Sequence, residues 1–295
     1  MPRILRALLN DENRLQMAWR AVAFLAIYWI AVTLLQFPAV VLQWLLQKGA
    51  SGFDFRLNTL IACLGALLAT WICTAVEGTP LTSIGLLLNR RWFREFLWGA
   101  LGGIALMAIT ALAIFLLGGF RWTRDPSGSL LGILAGIPFF LLVALKEEML
   151  FRGYPFQRLI MNLGPWPAQI LMAAFFVCYH WANPGMTGAT RVWACLNIGL
   201  ASILLGICYQ KTKSLALPMG LHLGWDWAQG HLLGFGVSGT TGAHGFWTPV
   251  FSAKPQWLKG GSFGLEASLP CALVCMAAIL LALFWKPGPA PESSQ

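Results

Sequence analysis

Long apolar segments alternate with short polar ones along almost the whole chain. A helix needs about 20 apolar residues to cross roughly 30 Å of hydrocarbon, and eight segments approach or exceed that length. We predict eight transmembrane helices at residues 21–46, 57–77, 96–118, 129–150, 167–182, 192–210, 215–235 and 264–285. The fifth is short, and the seventh contains Pro218, His222 and Asp226. The pattern predicts an all-α polytopic membrane protein with these helices in one bundle.

The composition supports a membrane protein and excludes several other classes. Charged residues make up 11% of the chain and hydrophobic residues 58%, whereas a typical soluble domain has about 25% charged residues. So few charges cannot cover a water-exposed surface. We therefore exclude a soluble domain, a disordered chain and a secreted disulfide scaffold.

The positive charge indicates membrane topology rather than a nucleic-acid partner. The net charge is +9, and Lys and Arg stand between the apolar segments, as positive charges do beside cytoplasmic helix ends. With the N-terminus inside, the inner segments hold 13 of the 20 Lys and Arg residues and the outer segments hold 7. We expect both termini in the cytoplasm, the lipid bilayer as a partner, and no nucleic acid.

The chain ends differ from the apolar body. Residues 1–20 alternate arginines with apolar residues, which is typical of an amphipathic helix on the cytoplasmic membrane surface. Residues 21–286 form the transmembrane bundle, and residues 287–295 form a short disordered tail. Residues 236–263, rich in Gly, Ser and Thr, are expected to form a long loop outside the membrane.

Few ionisable residues lie inside the apolar segments, and those few are candidate site residues. A charge at the bilayer centre costs about 2.5 to 3.5 kcal/mol on insertion scales and usually faces protein or water. At the end of the fourth segment, Glu148 and Arg152 share a helix face and can form an ion pair. Glu147 points about 100° away from that face, and we expect it to remain free. The plainer interpretation is that this charged run marks the end of the helix.

Two further segments contribute histidines. His180 follows Phe176 by four residues near the end of the fifth segment, where a plain interfacial histidine is also an adequate interpretation. His222 and Asp226 lie four residues apart in the seventh segment, so the carboxylate can accept from the imidazole and orient it. An acid and a histidine in an apolar helix favour a function.

Together these groups allow more than one chemistry. Carboxylates and imidazoles on three helices can activate a water and stabilise an oxyanion. The same groups can ligate a divalent metal ion or form the proton relay of a transporter. We expect no organic cofactor, while a divalent metal ion stays open.

At these residues the chain resembles the CPBP family, the membrane-embedded CAAX prenyl endopeptidases and bacteriocin-processing enzymes. The family motifs are EExxxR, FxxxH and HxxxN or HxxxD. They match Glu147, Glu148 and Arg152, then Phe176 and His180, then His222 and Asp226. The resemblance implies a catalytic core at about residues 129–235 and a place in a bacterial cytoplasmic membrane.

The resemblance implies a glutamate-dependent intramembrane endopeptidase. Glu147 would be the general base that, with His180, activates the attacking water, and His222 and Asp226 would stabilise the oxyanion. Glu148, Arg152 and Phe176 would support the site. Asp226 departs from the asparagine of the prenyl-protein proteases, and an ionised aspartate cannot donate to an oxyanion. Asp226 must then be protonated or orient His222.

The absent motifs leave direct attack by water as the mechanism. No HExxH motif occurs in the sequence, and Ser202 and Ser214 have no GxSxG setting, although those motifs mark zinc and serine hydrolases. A peptide or membrane-protein substrate is expected, whereas the metal content and the oligomeric state are left open. The alternatives are a non-catalytic immunity or peptide-binding protein of the same family and, less favoured, a proton-coupled transporter.

Overall fold

The structure is a computed structural model of the 295-residue chain. It describes residues 14–45, 55–240 and 245–286. The tail predicted at 287–295 and most of the surface helix predicted at 1–20 lie outside these residues.

The described chain is mostly helical. Its α-helices are α1 (Arg14–Leu45), α2 (Phe55–Val76), α3 (Arg90–Leu116), α4 (Leu130–Phe151), α5 (Tyr154–Leu163), α6 (Pro165–Tyr179), α7 (Gly188–Thr212), α8 (Ala216–Trp227), α9 (Gln256–Lys259) and α10 (Leu269–Phe284). Short 3₁₀ turns lie at Leu81–Ile84, Gly261–Phe263 and Leu265–Ala267, and a π-helical turn at Ala228–Leu232 continues α8. The strands β1 (Phe120–Arg124) and β2 (Trp247–Phe251) pair antiparallel, with Phe120 opposite Phe251.

Five helical stretches are long and apolar enough to cross a membrane. They are Trp19–Val41, Arg56–Val76, Arg90–Leu116, Leu130–Leu163 and Gly188–Thr212. Two shorter apolar helices are Pro165–Tyr179 and Leu269–Phe284. The prediction of a mostly helical, integral membrane protein is confirmed, with a small sheet added to it, and the count of eight spans stays a prediction.

The predicted eighth segment, 264–285, begins too early. Gly264 has φ +124°, and a 3₁₀ turn follows it before α10 starts at Leu269. The Ser268 side chain accepts from the Cys271 N–H at 3.3 Å and caps the helix, and Pro270 occupies its first turn. Both are common helix-start signals, and they place Glu266 ahead of the helix.

Contacts divide the chain into two compact units, and the first consists of Met1–Leu87 and Leu141–Gln169. In this unit α1 packs on α2 and α5. The Glu77 carboxylate accepts from Arg20 at 3.2 Å, from the Tyr154 hydroxyl at 2.5 Å and from Arg158 Nε at 3.1 Å. One buried anion thereby joins the three helices.

The second unit consists of Leu88–Phe140 and Ile170–Gln295, and its closest helix pair is α3 with α8. A Cβ at Gly99 or Gly103 of α3 would overlap a carbonyl oxygen of α8, and a Cβ at Gly220 or Gly224 of α8 would overlap one of α3. Such paired small residues let two apolar helices bring their backbones together. The glycines therefore fix the position of α8, which is buried along almost its whole length.

The segment 236–263 is more ordered than the expected loop. It contains β2 and α9, and β2 pairs with β1 beside the end of the π-helical turn. The Trp122 indole of β1 donates to the Leu233 carbonyl at 2.9 Å. Much of this glycine-rich segment therefore packs against the rest of the second unit.

Candidate functional site

The first motif forms a buried ion pair at the end of α4, in the first unit. Arg152 Nη1 donates to Glu148 Oε1 at 3.0 Å, and both side chains are at most 1% exposed. The helix ends there because the N–H groups of Arg152 and Gly153 both donate to the Glu148 carbonyl, at 2.8 Å. A Cβ at Gly153 would also overlap the backbone of Met149. The pair predicted from the i, i+4 spacing is confirmed.

Glu147 is also buried and has a charged neighbour. Its residue is 4% exposed, and its Oε1 lies 3.0 Å from the Lys146 ammonium. The expectation that Glu147 stands apart from ion pairs was wrong, because the long side chain of Lys146 reaches back to it. The carboxylate is therefore held by a cation of its own helix.

His180 lies in the second unit, directly after the last residue of α6. Its Nδ1 lies 2.8 Å from the Phe176 carbonyl, and the two rings are 4.6 Å apart. A carbonyl only accepts, so Nδ1 carries the hydrogen and the neutral ring has its lone pair on Nε2. A ring of that tautomer can accept a proton through Nε2.

His222 and Asp226 form the third pair, on α8. His222 Nε2 lies 3.5 Å from Asp226 Oδ2, and both residues are buried. Positions 222 and 226 are two residues from Gly220 and Gly224, which places them on the opposite side of the helix. The packing of the glycines on α3 thus determines the direction in which the His–Asp pair points. Phe176 lies next to this pair, with its ring 6.4 Å from that of His222.

The predicted site residues fall into two groups. Glu147, Glu148 and Arg152 belong to the first unit, whereas Phe176, His180, His222 and Asp226 belong to the second. Within each unit the neighbours expected from the motifs are in contact. All these residues are buried, as charged and polar groups with partners in protein are expected to be.

Sequence reasoning missed two charged neighbours of the motifs. The sequence indicates Lys146 only as a topology signal, because adjacent residues on a helix do not face each other and the spacing gives no sign of a pair with Glu147. Glu266, in the turn Leu265–Ala267, is 6% exposed. Glu266 lies inside the predicted segment 264–285. The expectation that an ionisable residue within an apolar segment is a candidate site residue could therefore have found it.

Glu266 is surrounded by donors of the second unit. It accepts from the Trp225 indole N–H at 3.4 Å and from the Ser238 backbone N–H. Burial raises the pKa of Glu266 above its ordinary value, while the Ser238 hydrogen bonds, the charge of His180 and the Trp225 hydrogen bond act in the opposite direction. The neighbours thus recover part of the cost of burying the charge.

The fold indicates an integral membrane protein, and these buried groups are its candidate functional residues. Residues 128–228 match the family model described as type II CAAX prenyl endopeptidase Rce1-like. The match covers about a third of the chain and contains all three motifs. The resemblance predicted from the motifs is confirmed over this segment, which is similar to a family of CAAX proteases. No curated protein matches the chain.

Among the described residues, no three His, Cys, Asp or Glu side chains are grouped so that they could hold a metal ion.

Proposed function

We propose that the protein is an intramembrane endopeptidase that cleaves a peptide bond near the membrane. The observation that carries the proposal is the match to the CAAX endopeptidase model over residues 128–228, which includes every motif residue. The burial of each ionisable motif residue supports it, because buried charges in a membrane protein are costly and usually functional.

In the proposed reaction Glu147 and His180 act on one water. Glu147 takes a proton from the water as its oxygen attacks the carbonyl carbon of the scissile bond, which forms a tetrahedral oxyanion. The proton then passes to the amine nitrogen as the carbon–nitrogen bond breaks, and a carboxylic acid and an amine leave. General acid–base help of this kind contributes about 10²- to 10⁴-fold to a rate.

His222 is proposed to stabilise the oxyanion, with Asp226 as its partner. In the structure Nε2 faces Asp226 at 3.5 Å, so Nδ1 would donate to the substrate oxygen. A ring that donates through Nδ1 and Nε2 together must be protonated, and an ionised Asp226 favours that form. This assigns Asp226 to the orientation of His222 and explains how aspartate replaces the asparagine of the prenyl-protein proteases.

The remaining motif residues are proposed to support the site. The Glu148–Arg152 pair fixes the last turn of α4, which carries Glu147. Phe176 holds His180 through its carbonyl and contacts the His222 ring. The ammonium of Lys146 balances the charge of Glu147.

The membrane setting is part of the proposal. We infer eight crossings, both termini in the cytoplasm and a place in a bacterial cytoplasmic membrane. The substrate is a peptide or a membrane protein. The resemblance to CAAX prenyl endopeptidases and bacteriocin-processing enzymes makes a lipidated C-terminus or a bacteriocin precursor a suitable one.

The test is cleavage of a peptide library by the purified protein in detergent, with mass spectrometry locating each cut. Glu147→Gln keeps the shape of the side chain and removes the base, so we expect at least about a 10²-fold loss of rate. Glu95→Gln is the matched control, because Glu95 pairs with Arg91 at 2.6 Å outside the motifs.

Undiminished cleavage by Glu147→Gln would contradict the proposed mechanism. A wild-type protein that binds peptides without cutting them would instead support the immunity or peptide-binding alternative.

A further inference from the structure

Glu266 contacts the helix that carries the third motif. Its Oε2 accepts from the indole of Trp225 at 3.4 Å, and Trp225 is the residue before Asp226. Both residues are buried. A change at Glu266 therefore acts directly on the helical turn that carries the His222–Asp226 pair.

A chain of hydrogen bonds joins Glu266 to the turn after His180. Glu266 Oε1 accepts from the Ser238 N–H, and the Ser238 carbonyl accepts from Asn183 Nδ2 at 2.9 Å. The Asn183 N–H in turn donates to the His180 carbonyl at 3.0 Å. The carboxylate is thus connected to both histidine-bearing elements of the second unit.

The loop between these bonds has a costly backbone conformation. Ser238 has φ +48°, a left-handed conformation that is unfavourable for a non-glycine residue and persists only when its surroundings hold it. The next residue, Gly239, has φ +82°, and a Cβ there would overlap the Pro184 carbonyl. The loop therefore lies directly on the turn after His180, and the Glu266 hydrogen bond holds it there.

Charge links Glu266 to His180 as well. The charge of His180 lowers the pKa of Glu266 against the larger effect of burial, so the two groups attract when both are ionised. The charge of Glu266 also acts on Cys271 of α10, but the Cys271 thiol is uncharged at acid and neutral pH. Both Glu266 oxygens accept from N–H donors, which suits the ionised carboxylate.

We propose that Glu266 is a positioning residue of the candidate site. Through Ser238 and Trp225 it holds the His180 turn and the His222–Asp226 helix in place. A role in catalysis rests on the proposed function, whereas the positioning itself does not.

Histidine NMR tests the positioning without an activity assay. The chain has four histidines, so ring carbons labelled with ¹³C can be assigned by single substitutions. In Glu266→Gln the contacts with Ser238 and Trp225 change, and we expect the ring signals of His180 and His222 to shift at constant pH. His231, which packs on Phe140 at 5.5 Å, should keep its signals, as should all rings in Glu95→Gln.

Amide hydrogen exchange tests the positioning in the same samples. We expect Glu266→Gln to raise exchange severalfold in residues 236–240 and 181–186. If this variant does not insert, Glu266→Asp is the second one. It keeps the charge with a shorter reach, so exchange should rise in the same two segments. Unchanged exchange in both segments overturns the positioning role.

The peptide assay separates this inference from the proposed function. If cleavage depends on Glu147, Glu266→Gln should lower kcat more than it changes KM. If the wild-type protein cleaves nothing, the proposed function fails, and the NMR and exchange results still decide the role of Glu266.

Discussion

Glu266 differs from the motif acids in the kind of partner that stabilises it. Glu147 and Glu148 each lie 3.0 Å from a cationic side chain, whereas Glu266 accepts from the neutral N–H groups of Trp225 and Ser238. Neutral donors offset the burial of a charge less fully than an adjacent cation does. Glu266 therefore makes the stability of the protein dependent on pH.

The raised pKa of Glu266 predicts the direction of that dependence. Between the ordinary carboxyl pKa of about 4.5 and the raised folded value, the folded chain binds more protons than the unfolded chain. The stability that Glu266 contributes is therefore fully present below the ordinary carboxyl pKa, and it is lost as the pH rises through the raised folded pKa. The unfolding temperature of the wild type minus that of Glu266→Gln should fall from about pH 4 to pH 8. A difference that grows with pH would show that the folded pKa is lowered instead.

The spacing of residues predicted the local pairs of the site but not its distant partners. Helical geometry places residues four apart on one face, which is why Glu148–Arg152 and His222–Asp226 could be expected. The short path from Lys146 to Glu147 depends on how a long side chain folds back, which spacing alone does not show. The approach of Ser238 to Glu266 depends on tertiary packing across 28 residues.

At the scale of elements, the packing of α8 depends on glycines rather than on large apolar side chains. Gly220 and Gly224 lie against the backbone of α3, and Gly99 and Gly103 lie against that of α8. Backbone oxygens cannot rotate away as a side chain can, so an added methyl group must push the helices apart. The direction in which His222 points is therefore sensitive to single methyl groups on α3.

Gly103→Ala should destabilise the protein, and Gly102→Ala should not. A Cβ at Gly103 would overlap the Leu221 carbonyl, while a Cβ at Gly102 would meet nothing within 4 Å. We expect a loss of about 3 kcal/mol or more in the free energy of unfolding for the first. For the second we expect a gain of up to about 1 kcal/mol from helix propensity. Denaturant unfolding in one detergent compares them, and equal stability of the two variants would contradict the glycine contact.

The ends of elements were harder to predict than their presence. Apolar length located the helices, because a membrane span needs a long apolar segment. The helix α10 starts late because Ser268 caps it and Pro270 lies in its first turn. Hydropathy, which is averaged over many residues, does not show such local signals. The helix α8 has only 12 residues before the π-helical turn, so its burial comes from neighbours rather than from its own length.

At the scale of the molecule, one buried anion joins three helices of the first unit. The Glu77 side chain is 8% exposed, and its partners Arg20 and Arg158 are 9% and 14% exposed. Removal of one partner from such a cluster leaves charges buried without compensation, which costs about 3 to 5 kcal/mol. The cluster also includes Tyr154 at the start of α5, close in sequence to the EExxxR motif.

Glu77→Gln should therefore lower the free energy of unfolding by about 3 kcal/mol, because both arginines lose their shared anion. Glu95→Gln removes a more exposed i, i+4 pair and should cost less than about 1 kcal/mol. Thermal unfolding of both variants in the same detergent gives the comparison. A loss for Glu77→Gln no larger than that for Glu95→Gln would show that the cluster contributes little.

We propose that Glu147 and His180 act on the same water, and a double-mutant cycle tests this proposal most directly. Each of Glu147→Gln and His180→Gln should lower kcat/KM by about 10²- to 10⁴-fold. The effects of substituting residues that act together are not additive. The kcat/KM of the double variant should therefore lie within about tenfold of that of the less active single variant. A double variant whose loss equals the product of the two single losses would contradict the shared water, as would wild-type rates in either single variant.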